Sequence, residues 1–173
     1  MTKRYDLLVI GAGPGGHATA LHAARAGAQT AVIEKEGWGG TCTHRGCVPT
    51  KALLACSRRY AELKKLGRLG VRLPAAAFDY AAMKRHQAQM VQISALGVRK
   101  SLQEAGAALL QGEGRIIAPD EVEWTAADGK RERLFARQLV IAWGSEPALP
   151  PGLSLSERIM SSDGILSLGT LPE

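Results

Sequence analysis

The chain opens with an uninterrupted run of apolar, strand-forming residues, Tyr5 to Ile10 (YDLLVI), that stops at Gly11. Such a run predicts a strand buried on both faces of a parallel sheet. The alanine-rich stretch His17 to Ala26 predicts a helix that Gly27 can end. Thr30 to Ile33 (TAVI) predicts a second buried strand. Helical character resumes near Cys47 and runs on through Lys51 to Ala55, since Pro49 is tolerated in a first turn. Leu66 to Phe78, with two glycines and Pro74, reads as a loop or short strand. From Asp79, a suitable N-cap, Tyr80, Met83, Met90, Ile93, Val98, Leu102 and Ala105 recur at roughly helical spacing as far as Gly106. The methionines are expected as core fillers and His86 as a surface side chain. Ala107 to Leu110 predicts a third parallel strand. Glu121 to Trp124 and Leu134 to Ala136 predict a hairpin turned at Asp128-Gly129, and Gln138 to Ala142 (QLVIA) a further buried strand. Pro147, Pro150 and Pro151 mark an exposed crossing segment, and Ser161-Ser162-Asp163 caps a short helix over Gly164 to Leu168. The alternation predicts an α/β fold: one domain over residues 1–173, with a parallel sheet, helices and a small antiparallel hairpin or meander.

The candidate chemistry lies at the breaks in this pattern. Gly11-Ala12-Gly13-Pro14-Gly15-Gly16 matches G-x-G-x-x-G between the first strand and the first helix. Gly11 permits a tight turn, Gly13 admits a pyrophosphate to the backbone, and Gly16 lets helix and strand pack closely. Glu34 ends the second strand, where a carboxylate accepts hydrogen bonds from a ribose and disfavours a 2′-phosphate. Strand, glycines, helix, strand and acid in register point to a bound dinucleotide of the Rossmann kind.

Trp38 to Lys51 (WGGTCTHRGCVPTK) places Cys42 and Cys47 five apart behind a double glycine. Positions five apart on a regular helix point about 140° away from each other. Pairing these thiols therefore needs a distorted backbone between them, which Gly46 eases. Lys51 follows Cys47 by one helical turn. With the helix N-terminus it would supply positive potential beside Cys47, the setting of reactive thiols. The alternatives are a metal site from Cys42, His44 and Cys47, which lacks a fourth ligand at the usual spacing, and two unpaired core thiols. Cys56 reads as a small buried or half-buried hydrophobe.

Composition changes this picture little. The chain has 173 residues, 46% hydrophobic and 22% charged, enough for about one domain. Three cysteines do not make a structural disulfide framework. No apolar run is long enough to span a membrane, and the start leads straight into a strand, so neither a signal peptide nor a membrane partner is expected and the cytoplasm is the expected compartment. The net charge of +6 owes much to Ser57–Arg72, where Arg58, Arg59, Lys64, Lys65, Arg68 and Arg72 face only Glu62. Without interleaved aromatics beyond Tyr60, this reads as a solvated helix face and loop, not a nucleic-acid surface.

The stretches DLLVIGAGPGGHATALHAARAG, AVIEKEGWGGTCTHRGCVPTKALL, GEGRI and IAWGSEPALPPG resemble the flavoprotein disulfide reductases, among them dihydrolipoamide dehydrogenase, glutathione reductase and mercuric reductase. The resemblance covers nearly the whole chain. It implies FAD as the dinucleotide and a redox-active Cys42–Cys47 disulfide, with Cys42 exchanging with a dithiol or disulfide substrate and Cys47 facing the flavin. It implies that Lys51 lies near the flavin, and that Gly11, Gly13, Pro14, Gly15, Gly16, Glu34, Lys35, Gly40, Thr41, Cys42, Cys47, Gly114, Ala142, Trp143 and Gly144 bind the cofactor, without a metal. Val48 to Leu54 is most like the dihydrolipoamide dehydrogenases, which implies dihydrolipoamide as substrate and possible service to the lipoyl domain of a 2-oxoacid dehydrogenase complex. Mercuric or glutathione reductase-like chemistry, or a non-catalytic flavin module, are the alternatives. Two features depart from the family: Trp143 in place of Thr, and Thr43-His44-Arg45 in place of an apolar residue, Asn and Val. His44 and Arg45 are expected to favour thiolates and so raise the oxidising power of the pair.

A second glycine fingerprint, the segment completing the FAD sheet and the family's His–Glu dyad do not occur in these 173 residues. The resemblance thus implies an N-terminal FAD-binding portion of a longer, homodimeric enzyme whose NAD-binding and dimerisation domains lie elsewhere.

Overall fold

The structure, a computed structural model, describes residues 3–172 apart from Leu73 and Ala75. Those two residues fall inside the loop or short strand expected at Leu66–Phe78, and that part of the expectation lies outside the described residues, as does the Lys64 side chain. The chain divides into two compact units, residues 1–44 with 94–146 and residues 45–93 with 147–173.

The first unit carries the sheet. Strands β1 (Arg4–Ile10), β2 (Thr30–Glu34), β3 (Ala108–Ala118) and β5 (Arg131–Ile141) form a parallel layer in the order β3-β2-β1-β5. β3, β4 (Glu121–Ala126) and β5 form an antiparallel meander. The expected hairpin turn is at Asp128-Gly129, where the Asp128 carboxylate accepts from the Lys130 amide at 3.0 Å.

Two differences from the sequence expectation share one cause. The strands expected at Leu134–Ala136 and Gln138–Ala142 are a single strand, β5, and the strand expected at Ala107–Leu110 runs on to Ala118. β3 and β5 are each 11 residues long because they serve both layers, pairing in parallel at one end and antiparallel at the other. Gly112 and Gly114 sit inside β3. A Cβ at Gly112, which has φ +141, would collide with the Thr125 carbonyl, and one at Gly114 would come within 3.0 Å of Ile33 Cδ1. Both glycines allow a close approach, Gly112 of the β4 backbone and Gly114 of the Ile33 side chain.

The strand period of two sorts the core. Leu7, Val9 and Val32 point to one face, where they pack with Ala20 of helix α1 (Pro14–Arg25) and with Leu102. Leu8, Ile10, Ala31 and Ile33 point to the other, where Val122, Leu134 and Ala136 of the meander cover them. Each fully buried Leu, Ile or Val contributes about 1.5–3 kcal/mol.

Helix α4 (Tyr80–Glu104) is the long helix expected, and Asp79 caps it by accepting from the Ala82 amide at 2.9 Å. Met83 and Met90 are half-buried and His86 is exposed. Ile93 was expected on the apolar face but is 55% exposed. The inward positions are Gln87, Ser94, Val98 and Leu102, a stripe at helical spacing that does not include it.

The second unit holds α3 (Cys47–Leu66), a 3₁₀ turn at Gly67–Leu69, the first part of α4, and α5 (Ser162–Ser167). Ser161 caps α5 through the Gly164 amide at 3.2 Å, as expected. Polar side chains tie α5 down: Tyr80 donates to the Leu168 carbonyl at 3.1 Å, and Lys84 and Gln87 both donate to that of Leu166. The expected crossing segment at Pro147–Pro151 is exposed, and Cys56 is half-buried.

Candidate functional site

The glycine fingerprint is built from backbone. Gly11 ends β1 at φ +98, and a Cβ there would collide with the Ala142 carbonyl. The Ala142 amide in turn donates to the Ile10 carbonyl at 2.8 Å. A Cβ at Gly16 would collide with the Gly11 carbonyl, so α1 sits directly against the turn. Gly13 is the N-cap of α1 and Pro14 its first helical residue. Around Gly15 there is open space, and Gly13 meets only the Cα of Gly40, 3.9 Å from an ideal Cβ position. The result is an open corner of bare amides at a helix N-terminus, suited to an anion.

Glu34 ties this corner together. Its carboxylate, 7% exposed, accepts from the Ala12 amide at 2.7 Å and from the Glu36 and Gly37 amides at 2.8 and 3.1 Å. A carboxylate has about four acceptor sites, so capacity remains for a further donor. The Gly39 amide returns to the Ala12 carbonyl at 3.0 Å. From there the five-residue helix α2 (Gly40–His44) begins, and it carries Thr41 and Cys42. Gly40 has φ +57, and its own Cβ would lie 2.8 Å from the Gly13 Cα. The helix bearing Cys42 therefore starts in contact with the dinucleotide fingerprint.

Ala142, Trp143 and Gly144 follow β5, and the first two reach the same corner at Gly11, with Trp143 64% exposed. Two other sequence-selected residues sit apart from that contact. Lys35 pairs with Glu113 at 3.1 Å, and Gly114 is packed beneath Ile33 and Val122.

Cys42 is half-buried. Between the two cysteines the helical backbone breaks at Arg45-Gly46, where Gly46 has φ −144 and ψ −105, the distortion expected from their spacing. In the second unit Cys47 is exposed and is the first residue of α3, and Lys51 is exposed one turn later. His44 and Arg45, the atypical pair, are both engaged: His44 Nε2 donates to the Trp38 carbonyl at 3.2 Å, and Arg45 pairs with Asp163 at 3.8 Å. Among the described residues no group of three or more His, Cys, Asp or Glu is placed to hold a metal, and no helix is long and apolar enough to cross a membrane.

Residues 5–173 match the family model described as pyridine nucleotide-disulphide oxidoreductase. The chain belongs to this family. Among curated members, the dihydrolipoyl dehydrogenase of Synechocystis sp. is 37% identical over 98% of this chain, and that of Chlamydia pneumoniae 36% over all of it. The chain spans 36% and 37% of the lengths of those two relatives. The crystal structure of LpdA from Mycobacterium tuberculosis superposes with a TM-score of 0.85 at 25% identity, over 99% of this chain and 38% of that one. The two-layer sheet described above is therefore a fold this oxidoreductase family uses.

Sequence reasoning missed three supports of the site. Gly37 lies under the His44 imidazole, with an ideal Cβ 2.5 Å from Nε2. Thr43, 4% exposed, bonds Ser94 at 3.5 Å. His17 donates to Ser101 Oγ at 2.8 Å, because the Ser101 hydroxyl already donates to the Val98 carbonyl at 2.9 Å. Burial, and then the charge of Arg25, hold the His17 imidazole below its ordinary value of 6.5. The one sequence signal for any of these was the glycine density at positions 37, 39 and 40.

Proposed function

We propose that this chain forms the flavin-binding, disulfide-bearing part of a disulfide oxidoreductase that links NAD(H) to a dithiol or disulfide substrate, with dihydrolipoamide as that substrate. The observation that carries this reading is the Gly13–Gly40 contact, which sets the Cys42 helix against the dinucleotide fingerprint. FAD fits the residues present. The open corner at Gly13 and Gly15 is a cradle that side chains would fill. In this reading Gly11, Gly13, Pro14, Gly15 and Gly16 hold the pyrophosphate, and Glu34 takes the ribose on its remaining acceptor capacity. Lys35, Gly40, Thr41, Gly114, Ala142, Trp143 and Gly144 complete the cofactor's surroundings. When bound, FAD supplies two-electron exchange between a nicotinamide and the thiols.

The chain's own part is thiol chemistry. A Cys42 thiolate attacks one sulfur of the substrate disulfide, forming a mixed disulfide and releasing one substrate thiol. Cys47 then attacks the Cys42 sulfur, closing the Cys42–Cys47 bond and releasing the second thiol. The reverse sequence oxidises a dithiol. Lys51, one turn from Cys47, supplies positive charge beside that sulfur. The break at Arg45-Gly46 supports the pairing, because an unbroken helix would hold the sulfurs apart.

The curated relatives named dihydrolipoyl dehydrogenase and the run Val48 to Leu54 favour dihydrolipoamide over glutathione disulfide or mercuric ion. A lipoyl domain as carrier, a homodimer, further NAD-binding and dimerisation domains, and a cytoplasmic site belong to the same proposal. The test is NADH-dependent turnover by the intact protein with lipoamide, oxidised glutathione and Hg(II) in parallel. Lipoamide is expected to give at least tenfold the kcat/KM of the others. A preference for either of the others would replace the substrate assignment, and no turnover of any would leave a binding module.

A further inference from the structure

We infer that His44 is a positioning residue for Cys42: its imidazole straps the C-terminal end of α2 to the loop before it and so sets the orientation of the reactive sulfur. The inference deepens the reading of Cys42 as the exchanging thiol and rests on it for its functional consequence.

A helix of five residues has no stability of its own, because nucleation costs more than its few hydrogen bonds return. α2 must be held from outside, and three contacts within the first unit do so. At its start, Gly39 and Gly40 are fastened to Ala12 and Gly13. On its buried side, Thr43 lies against Gly39 and bonds Ser94 at 3.5 Å. At its end, His44 reaches back to the Trp38 carbonyl at 3.2 Å. A carbonyl only accepts, so the Nε2 tautomer carrying hydrogen is the one that bonds.

The ring also lies close over Gly37, where an ideal Cβ would stand 2.5 Å from Nε2, 2.9 Å from Cε1 and 3.1 Å from Cδ2. Gly37 is thus a glycine because His44 occupies its side-chain space. The strapped loop is itself fixed, since Glu34 accepts from the Glu36 and Gly37 amides and the Trp38 side chain is 9% exposed in the core. Cys42 lies between the fastened ends. Without the strap, the last turn of α2 is free to unwind toward the break at Arg45-Gly46, and Cys42 turns with it. This also explains why an atypical residue is tolerated beside the cysteine. His44 is engaged with the backbone it holds.

The experiment compares wild type, His44→Phe, His44→Gln and Gly37→Ala in the intact, fully reduced protein. Iodoacetamide alkylation is followed separately at Cys42 and Cys47 by peptide mass spectrometry, beside kcat and KM for lipoamide. His44→Phe keeps an aromatic ring over Gly37 and removes the donor. Gly37→Ala keeps the donor and evicts the ring, and its backbone φ is not in the left-handed region. Both are expected to change the Cys42 alkylation rate by about three- to tenfold, the range one hydrogen bond spans, while Cys47 changes less than twofold. kcat is expected to fall in step, with KM little changed. His44→Gln, which restores an N–H donor, is expected to recover most of the wild-type rate, and the Gly37→Ala/His44→Phe double variant to be no worse than either single one. An unchanged Cys42 rate in His44→Phe overturns the inference, and so does full additivity of the two changes or failure of Gln to restore the rate. A wild-type protein whose cysteines never pair reversibly would refute the functional reading instead, because the alkylation rates do not depend on pairing.

Discussion

The two units are held by different physics. The first sandwiches its parallel sheet between two apolar clusters, with Leu8, Val9 and Val32 fully buried. The second, among the described residues, buries only Pro49, Ala52 and Gln87. It relies on polar ties such as Tyr80 to Leu168 and Arg45 to Asp163. Cys42 lies in the first unit and Cys47 in the second. Cys42 lies in a short helix whose start is packed against Gly13 with no room for an added atom, whereas Cys47 opens an exposed helix. The difference teaches where a change should damage the fold and where it should damage only chemistry.

The strongest way to break that contrast is Leu8→Ala. It removes a side chain of 0% exposure from beneath the meander and is expected to cost about 3 kcal/mol, read as a shift in the denaturation midpoint. A loss below about 1 kcal/mol would mean the first unit is not organised around this core. Next is Gly40→Ala, which forces a side chain toward Gly13 at an already left-handed backbone. About 2 kcal/mol of stability and at least tenfold in FAD affinity are expected to go together. Retained affinity would detach α2 from the fingerprint.

A smaller effect concerns pH. His17 is held below its ordinary 6.5, so the unfolded chain takes up its proton first as pH falls through that value. Stability is therefore expected to decline on acidification below pH 6.5, and His17→Gln to flatten that part of the curve. Denaturant midpoints at several pH values check it. Smallest are Arg58→Ala and Arg59→Ala on the exposed face of α3, each expected within about 0.5 kcal/mol. A larger cost would show that the second unit draws on these charges.

Where local chemistry decides, the sequence alone was enough. β1, the fingerprint, β2 and Glu34 follow from a run of apolar residues, three glycines and one acid. The caps at Asp79 and Ser161 and the turn at Asp128 follow from short polar side chains beside the amides they satisfy. What escaped depends on neighbours distant in the chain. The third strand was expected to end at Leu110, yet it runs on through Gly112 and Gly114, which lie against the Thr125 carbonyl and Ile33. Ile93 fits a helical period, yet the buried stripe of α4 runs through Gln87 and Ser94. His44 and Arg45 looked like electrostatic partners of the disulfide. The structure engages one with the Trp38 carbonyl and the other with Asp163.

The central claim is that Cys42 and Cys47 form a redox pair beside a bound flavin, with Cys47 inward and Cys42 toward substrate. Anaerobic two-electron reduction of the FAD-loaded intact protein tests it directly, through the long-wavelength absorbance of a thiolate against oxidised flavin. The band is expected in two-electron-reduced wild type and, because no disulfide can form, in Cys42→Ser before any reductant is added, and it is expected to be absent from Cys47→Ser in either state. A band that survives in Cys47→Ser and disappears in Cys42→Ser would reverse the two roles, and no band in wild type would contradict the pairing itself.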